Sequence, residues 1–83
     1  MELITFRELE QILLLAIKMP TIKIKSVAEQ TGLGLSGLYK WCQGANRISP
    51  DNADCLLNWF KYCRPDVLQA AEALYKCRGV NNG

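Results

Sequence analysis

The chain has 83 residues, 49% apolar and 22% charged, with a net charge of +2 and no histidine. That length suits one domain with a modest core over residues 1–83, and the absence of any low-complexity tract points to globular rather than disordered material. The longest apolar run, Ile12 to Ile17, is six residues against the roughly 20 needed to span a bilayer. Glu2, Arg7, Glu8 and Glu10 stud the start unlike a secretory signal, so a cytoplasmic protein without a membrane partner is expected.

Thr5 with Glu8 three places later reads as a capping box, and Ile4 with Leu9 as a hydrophobic staple, opening a first helix. Phe6, Leu9, Ile12, Leu13, Ala16 and Ile17 recur at helical spacing until Met19-Pro20 ends it, with Leu14 and Leu15 widening the apolar side. A second helix is expected from about Ile24 to Thr31 and a third from about Leu35 to Gln43. After a loop through Ile48, Ser49-Pro50-Asp51 is a serine cap, a first-turn proline and an acid at the positive helix end. This predicts a fourth helix over about 50–63, with Ala53, Leu56, Leu57, Phe60 and Cys63 inward and Trp59 near the edge. Pro65-Asp66 repeats the start signal for a fifth helix over about 65–77, with Val67, Leu68, Ala71, Leu74 and Tyr75 as its apolar face, ending before Gly79 and leaving Val80 to Gly83 frayed. Without a strand-like alternating segment the expected class is all-α, a compact domain of five helices.

The second and third helices carry the most informative spacing. Two short helices that cross steeply through a tight turn need a small residue where the backbones meet, a turn residue tolerant of positive φ, and apolar inner faces. Ala28 is the small residue, Gly32 the left-handed cap and Leu33 the apolar turn residue. Val27, Leu38 and Trp41 supply the inner faces, and Thr31 fills one site where an apolar residue is usual. Ser36, Tyr39 and Lys40 then point away from this miniature core.

Residues 22–44 accordingly resemble the helix-turn-helix of the phage repressor and Cro type, the XRE-like or lambda-repressor-like DNA-binding family. Ile22 matches the apolar residue before the first of the two helices, Val27-Ala28 the apolar-alanine pair, and Gly44 the glycine that closes the reading helix; Leu38 and Trp41 fall in register. The family often has an acid two places before that glycine, paired with a basic residue of the first helix. Here Cys42 stands there, and Ile17 is the matching first-helix position, which exchanges an ion pair for an apolar contact. On the reading surface, polar residues that bond to bases are partly replaced by Leu35 and Gly37. The resemblance implies a lambda-repressor-like domain that inserts its third helix in the major groove of double-stranded DNA, as transcriptional regulators of phage and mobile elements do.

Charge agrees with that placement. Residues 18–47 hold Lys18, Lys23, Lys25, Lys40 and Arg47 against Glu29 alone, a local +4, whereas residues 1–17 sum to −2 and residues 48–83 to zero. Chemistry suggests the roles: Ser36 and Lys40, one turn apart, reach base edges, with Lys40 donating to guanine. Gln43 serves a base or a nearby phosphate, Leu35 touches a thymine methyl, Tyr39 offers a hydroxyl to phosphate, and Lys23, Lys25 and Arg47 flank the groove as charge contacts. A lone reading helix with this polar complement is a weak binder, so a homodimer through the C-terminal helices is expected, with Trp59 and Tyr75 as anchors.

The alternative is a protein-interaction module on the same fold, an antirepressor or adaptor, favoured by the small charge surplus, Leu35, Gly37 and the two C-terminal aromatics. No enzyme and no cofactor is expected: there is no histidine, no paired-carboxylate constellation and no phosphate-cradling glycine loop. The four cysteines, Cys42, Cys55, Cys63 and Cys77, contain no Cys-x-x-Cys, and Cys55 and Cys63 would lie roughly 12 Å apart along a helix. Neither zinc nor disulfides are therefore expected, but free thiols packed as small apolar side chains, with Cys77 the exposed and oxidisable one.

Overall fold

The computed structural model describes residues 5–82, with side chains through Cys77. Five helices follow in order: α1 (Phe6–Ile17), α2 (Ile24–Thr31), α3 (Leu35–Cys42), α4 (Pro50–Cys63) and α5 (Pro65–Asn82). Among the described residues all regular structure is helical, as the absence of alternating patterns predicts.

The ends of the helices are set by local chemistry. At α1 the capping box forms in both directions: the Glu8 amide donates to Thr5 Oγ1 at 3.1 Å and the Thr5 amide to Glu8 Oε1 at 3.1 Å. The staple expected from Ile4 lies outside the described residues. Ser49 caps α4 by accepting the Asn52 amide at 3.2 Å, with Pro50 in the first turn and Asp51 at the positive end. Arg64 alone joins α4 to α5; preceding a proline, it leaves the helical region at φ −139° and ψ 60°, and its carbonyl accepts the Val67 and Leu68 amides.

The turn from α2 to α3 is Gly32-Leu33-Gly34. Gly32 adopts φ +79° and its amide bonds the Ala28 carbonyl at 2.9 Å, the left-handed cap expected of it. Thr31, at the site where an apolar residue is usual, disposes of its hydroxyl locally, donating to the Val27 carbonyl at 2.7 Å and accepting the Leu33 amide at 3.3 Å. Gly44, at φ +81°, closes α3: its amide bonds the Trp41 carbonyl at 3.0 Å and the Ala45 amide the Lys40 carbonyl at 2.9 Å, the paired arrangement of a Schellman cap.

The core gathers one face of every helix. Helix α1 packs along α5 and against α4, α4 touches α5 and α2, and α2 packs on α3. Leu13, Ile17, Val27, Leu56 and Phe60 are fully enclosed, with Ile12, Ala16, Ile22, Ala28, Leu38, Trp41, Ile48, Ala53, Val67 and Ala71 completing the buried set. Val67, Ala71 and half-buried Tyr75 succeed one another at i+4 steps, which carries the contact stripe of α5 past Leu74, left 45% exposed rather than inward as expected.

Three further expectations are corrected. Helix α5 continues through Gly79 to Asn82 instead of stopping before the glycine. A glycine costs a helix interior only about 1 kcal/mol against alanine and ends it only when it turns left-handed. Cys63, assigned to the inner face of α4, is exposed in the last turn, beyond the reach of the core that encloses Phe60. Cys55 is exposed as well, so of the four thiols only half-buried Cys42 packs as a small apolar side chain; Cys77 is exposed as expected.

Candidate nucleic-acid interface

Helix α3 turns Leu38 and Trp41 into the core and leaves Ser36, Tyr39, Lys40 and Gln43 exposed. Spaced at i, i+3, i+4 and i+7, these four residues form one outward stripe along the helix and onto its C-cap, Gln43. Gly37 adds no side chain beside them, and a Cβ placed there would meet nothing within 4 Å, so the outer surface of α3 is open at that point. Leu35, expected to meet a thymine methyl, is half-buried and packed on the core, which leaves only part of its surface for a base.

The helix starts divide into two sets. Helices α1, α4 and α5 each carry an acid in the first turn: Glu8, Asp51 and Asp66. Helices α2 and α3 carry none, and neither N-terminus is satisfied by a side-chain cap. At α2 the charge is reversed, because Lys23 occupies the cap position and Lys25 follows in the first turn, both exposed. A cation at the positive end of a helix dipole is unfavourable, and free amides there are the usual seat of an anion. The neighbouring helices α2 and α3 are thus the two whose first turns hold neither an acid nor a side-chain cap.

Of the expected charge contacts, Lys23 borders a cleft with Thr21, Ser26, Gln30, Trp59 and Arg64, on the α2 and α4 side. Arg47 borders two other hollows, one between the start of α3 and the start of α4, lined by Gly34, Gly37, Asn46 and Asn52, and one against α1, lined by Arg7, Glu10, Gln11 and Trp41. The structure therefore does not gather all the expected residues in one cluster: Ser36, Tyr39, Lys40 and Gln43 share a helix face, while Lys23 and Arg47 border separate hollows. Asn46 and Asn52 line the same hollow as Arg47, and no local sequence pattern marks them.

The largest departure from expectation is Glu10. It is 4% exposed at the centre of α1. Oε1 lies 3.1 Å from Nη2 of Arg47, and Oε2 accepts both the Trp41 indole N–H at 3.1 Å and the Ile48 amide at 3.3 Å. Burial pushes the carboxyl pKa up, but the hydrogen bonds from Ile48, Arg47 and Trp41 and the charge of Arg47 outweigh it and hold Glu10 below the usual carboxylate range. The sequence did contain a signal: Glu10 interrupts the apolar series Phe6, Leu13, Ile17 at the place where a further core residue belongs.

At Cys42, where the family often has an acid, the charged neighbour is Lys18 rather than any group at Ile17, which is itself enclosed in the core. Burial pushes the Cys42 thiol up, with Lys18 opposing it only in part. The link between α1 and the end of α3 thus runs through Glu10, a turn and more from the expected place. Trp59, proposed as a dimer anchor, is half-buried, donates to Gln30 Oε1 at 2.8 Å and meets Phe60 edge-on. Tyr75 is half-buried against the core, and the freely exposed aromatic of α4 is instead Tyr62, at 86%.

Among the described residues no three cysteine, aspartate or glutamate groups are placed together to hold a metal ion, and no described helix is long and apolar enough to cross a membrane. No family model, curated protein or solved structure matches the chain.

Proposed function

We propose that the chain is a sequence-specific DNA-binding transcriptional regulator whose α2 and α3 act as a helix-turn-helix of the lambda-repressor type, with α3 in the major groove. The observation that carries this reading is the charge pattern at the helix starts: α2 and α3 alone lack a first-turn acid and a side-chain cap among α1 to α4, and α2 opens on Lys23 and Lys25. Phosphates on either side of the groove relieve that unfavourable arrangement. The exposed stripe then assigns itself by chemistry. Ser36 and Lys40 meet base edges, Gln43 a base or phosphate, Tyr39 a phosphate, and Lys23, Lys25 and Arg47 the backbone that flanks the site.

Specific binding in this reading takes two copies, since one short reading helix with Ser36, Lys40 and Gln43 covers few base pairs; the half-sites lie roughly 34 Å apart. With Trp59 and Tyr75 committed within the fold, the aromatic offered to a second copy is Tyr62, with Cys55 and Asn58 exposed beside it on α4. That same exposed Tyr62 favours the second reading, a helix-turn-helix module that binds another protein as an antirepressor or adaptor.

Selection of duplexes from a random pool, followed by sedimentation of the complex, tests the proposal. An enriched palindrome, affinity that falls steeply with salt and two copies per site are expected. No binding even at low salt refutes it and transfers the weight to the protein-binding reading.

A further inference from the structure

We infer that Glu10 is a positioning residue for DNA recognition: from beneath the surface it fixes the Arg47 side chain and the height of α3 in one arrangement. The inference rests on the DNA-binding reading and adds a residue from α1, a helix with no part in that reading. Its geometry joins three segments at one carboxylate. Oε2 takes the indole N–H of Trp41, from the inner side of α3, and the amide of Ile48, from the loop that leads to α4; Oε1 takes Nη2 of Arg47.

A carboxylate is an expensive occupant for a core position, and an apolar residue there would extend the stripe of Phe6, Leu13 and Ile17 at no desolvation cost. What the carboxylate provides is register. The Glu10 side chain is 6% exposed and the Arg47 side chain 67% exposed, so the ion pair is anchored below and open above. Among the described residues only Nη2 is engaged, which leaves other guanidinium donors for a phosphate oxygen. Because Trp41 hangs from the same carboxylate, the distance between Arg47 and the exposed stripe of α3 is set by one group. A phosphate contact held in this way reports on whether α3 is correctly seated in the groove.

The test is a double-mutant cycle in the full chain with Glu10→Gln and Arg47→Ala, read as affinity for the selected duplex and for a random duplex. Glutamine keeps an oxygen for Trp41 and Ile48 but carries no charge to hold Arg47. In the parent background Arg47→Ala is expected to weaken the selected duplex about tenfold. In the Glu10→Gln background the same change is expected to cost only about twofold, and Glu10→Gln alone to weaken the selected duplex more than the random one. Equal factors in the two backgrounds overturn the inference. Side-chain 15N relaxation at Arg47 Nε supplies a readout without DNA: an ordered guanidinium in the parent that becomes mobile in Glu10→Gln, with the Trp41 indole resonance retained, is expected, and a guanidinium mobile in the parent overturns it. Should Glu10→Gln not fold, Arg47→Lys decides, since it keeps the charge and loses the planar fork; parent-like affinity for the selected duplex then refutes positioning, and a loss confined to that duplex supports it. A parent that binds no duplex at low salt ends the DNA reading and this inference together, and needs no variant to show it.

Discussion

Replacing Glu10 by glutamine and by alanine separates the charge of the buried carboxylate from its hydrogen bonds. A bond to a charged partner contributes about 1.5–3 kcal/mol against about 0.5–1.5 for a neutral one. Glutamine therefore costs about 1 kcal/mol at each of the two bonds it keeps, those from Trp41 and Ile48. Loss of the open-sided pair with Arg47 adds about 0–1 kcal/mol, for a total of roughly 2–3 kcal/mol. Alanine leaves the indole N–H and the Ile48 amide without an acceptor and empties the site, and is expected to cost about 3–5 kcal/mol. Against a total stability of about 5–15 kcal/mol, either loss is large.

The same site predicts a pH dependence. The folded pKa of Glu10 is depressed below its ordinary value of 4.5, so its contribution is fully present above that value and is lost as the pH falls through the folded pKa. Urea unfolding of parent and Glu10→Gln across the acid range is the assay: the gap between them is expected to be widest near neutrality and to close below the ordinary carboxylate pKa. A glutamine variant within about 0.5 kcal/mol of the parent near pH 7, or a gap that is constant with pH, refutes the energetic role assigned to Glu10.

Trp41, 3% exposed and bonded to Glu10, is expected to cost about 3–5 kcal/mol as Trp41→Ala in denaturant unfolding, and a loss below about 1 kcal/mol would contradict its place in the core. Lys40→Ala is expected to weaken the selected duplex by about 1–3 kcal/mol with little effect on random DNA, whereas Arg47→Ala is expected to weaken both and to reduce the salt slope by about one. A thiol reagent applied to the folded protein is expected to label Cys55, Cys63 and Cys77 first and Cys42 slowly, because only Cys42 is half-buried and its thiolate is disfavoured by burial. Rapid labelling of Cys42 would contradict that.

What could be read in advance was governed by local chemistry. Thr5 with Glu8, Ser49-Pro50-Asp51 and the glycines at 32 and 44 act within a few residues of themselves, and each cap forms as its neighbours dictate. The buried positions of α2 and α3 likewise follow from spacing, as Val27, Ala28, Leu38 and Trp41 demonstrate. The errors fall where distance or drift decides. Glu10 is 31 residues from Trp41 and 38 from Ile48 in the chain, and no local pattern names such partners. Cys63 and Leu74 sit at helical spacings compatible with burial, but the core ends at Phe60 on α4 and follows Val67, Ala71 and Tyr75 on α5. Trp59 packs half-buried against the core with its indole N–H on Gln30 of α2, another partner remote in sequence, and the freely exposed aromatic of α4 is Tyr62.

Titration of the 15N-labelled chain with its selected duplex, followed amide by amide, addresses the assignment of the reading face most directly. Perturbation is expected along Ser36, Tyr39, Lys40 and Gln43, at the start of α2 around Lys23 and Lys25, and at Arg47 with Asn46, while the outer face of α4 from Cys55 to Tyr62 responds only as two copies meet on the DNA. Shifts confined to α4 and α5, with the α3 stripe silent at saturation, would contradict the account.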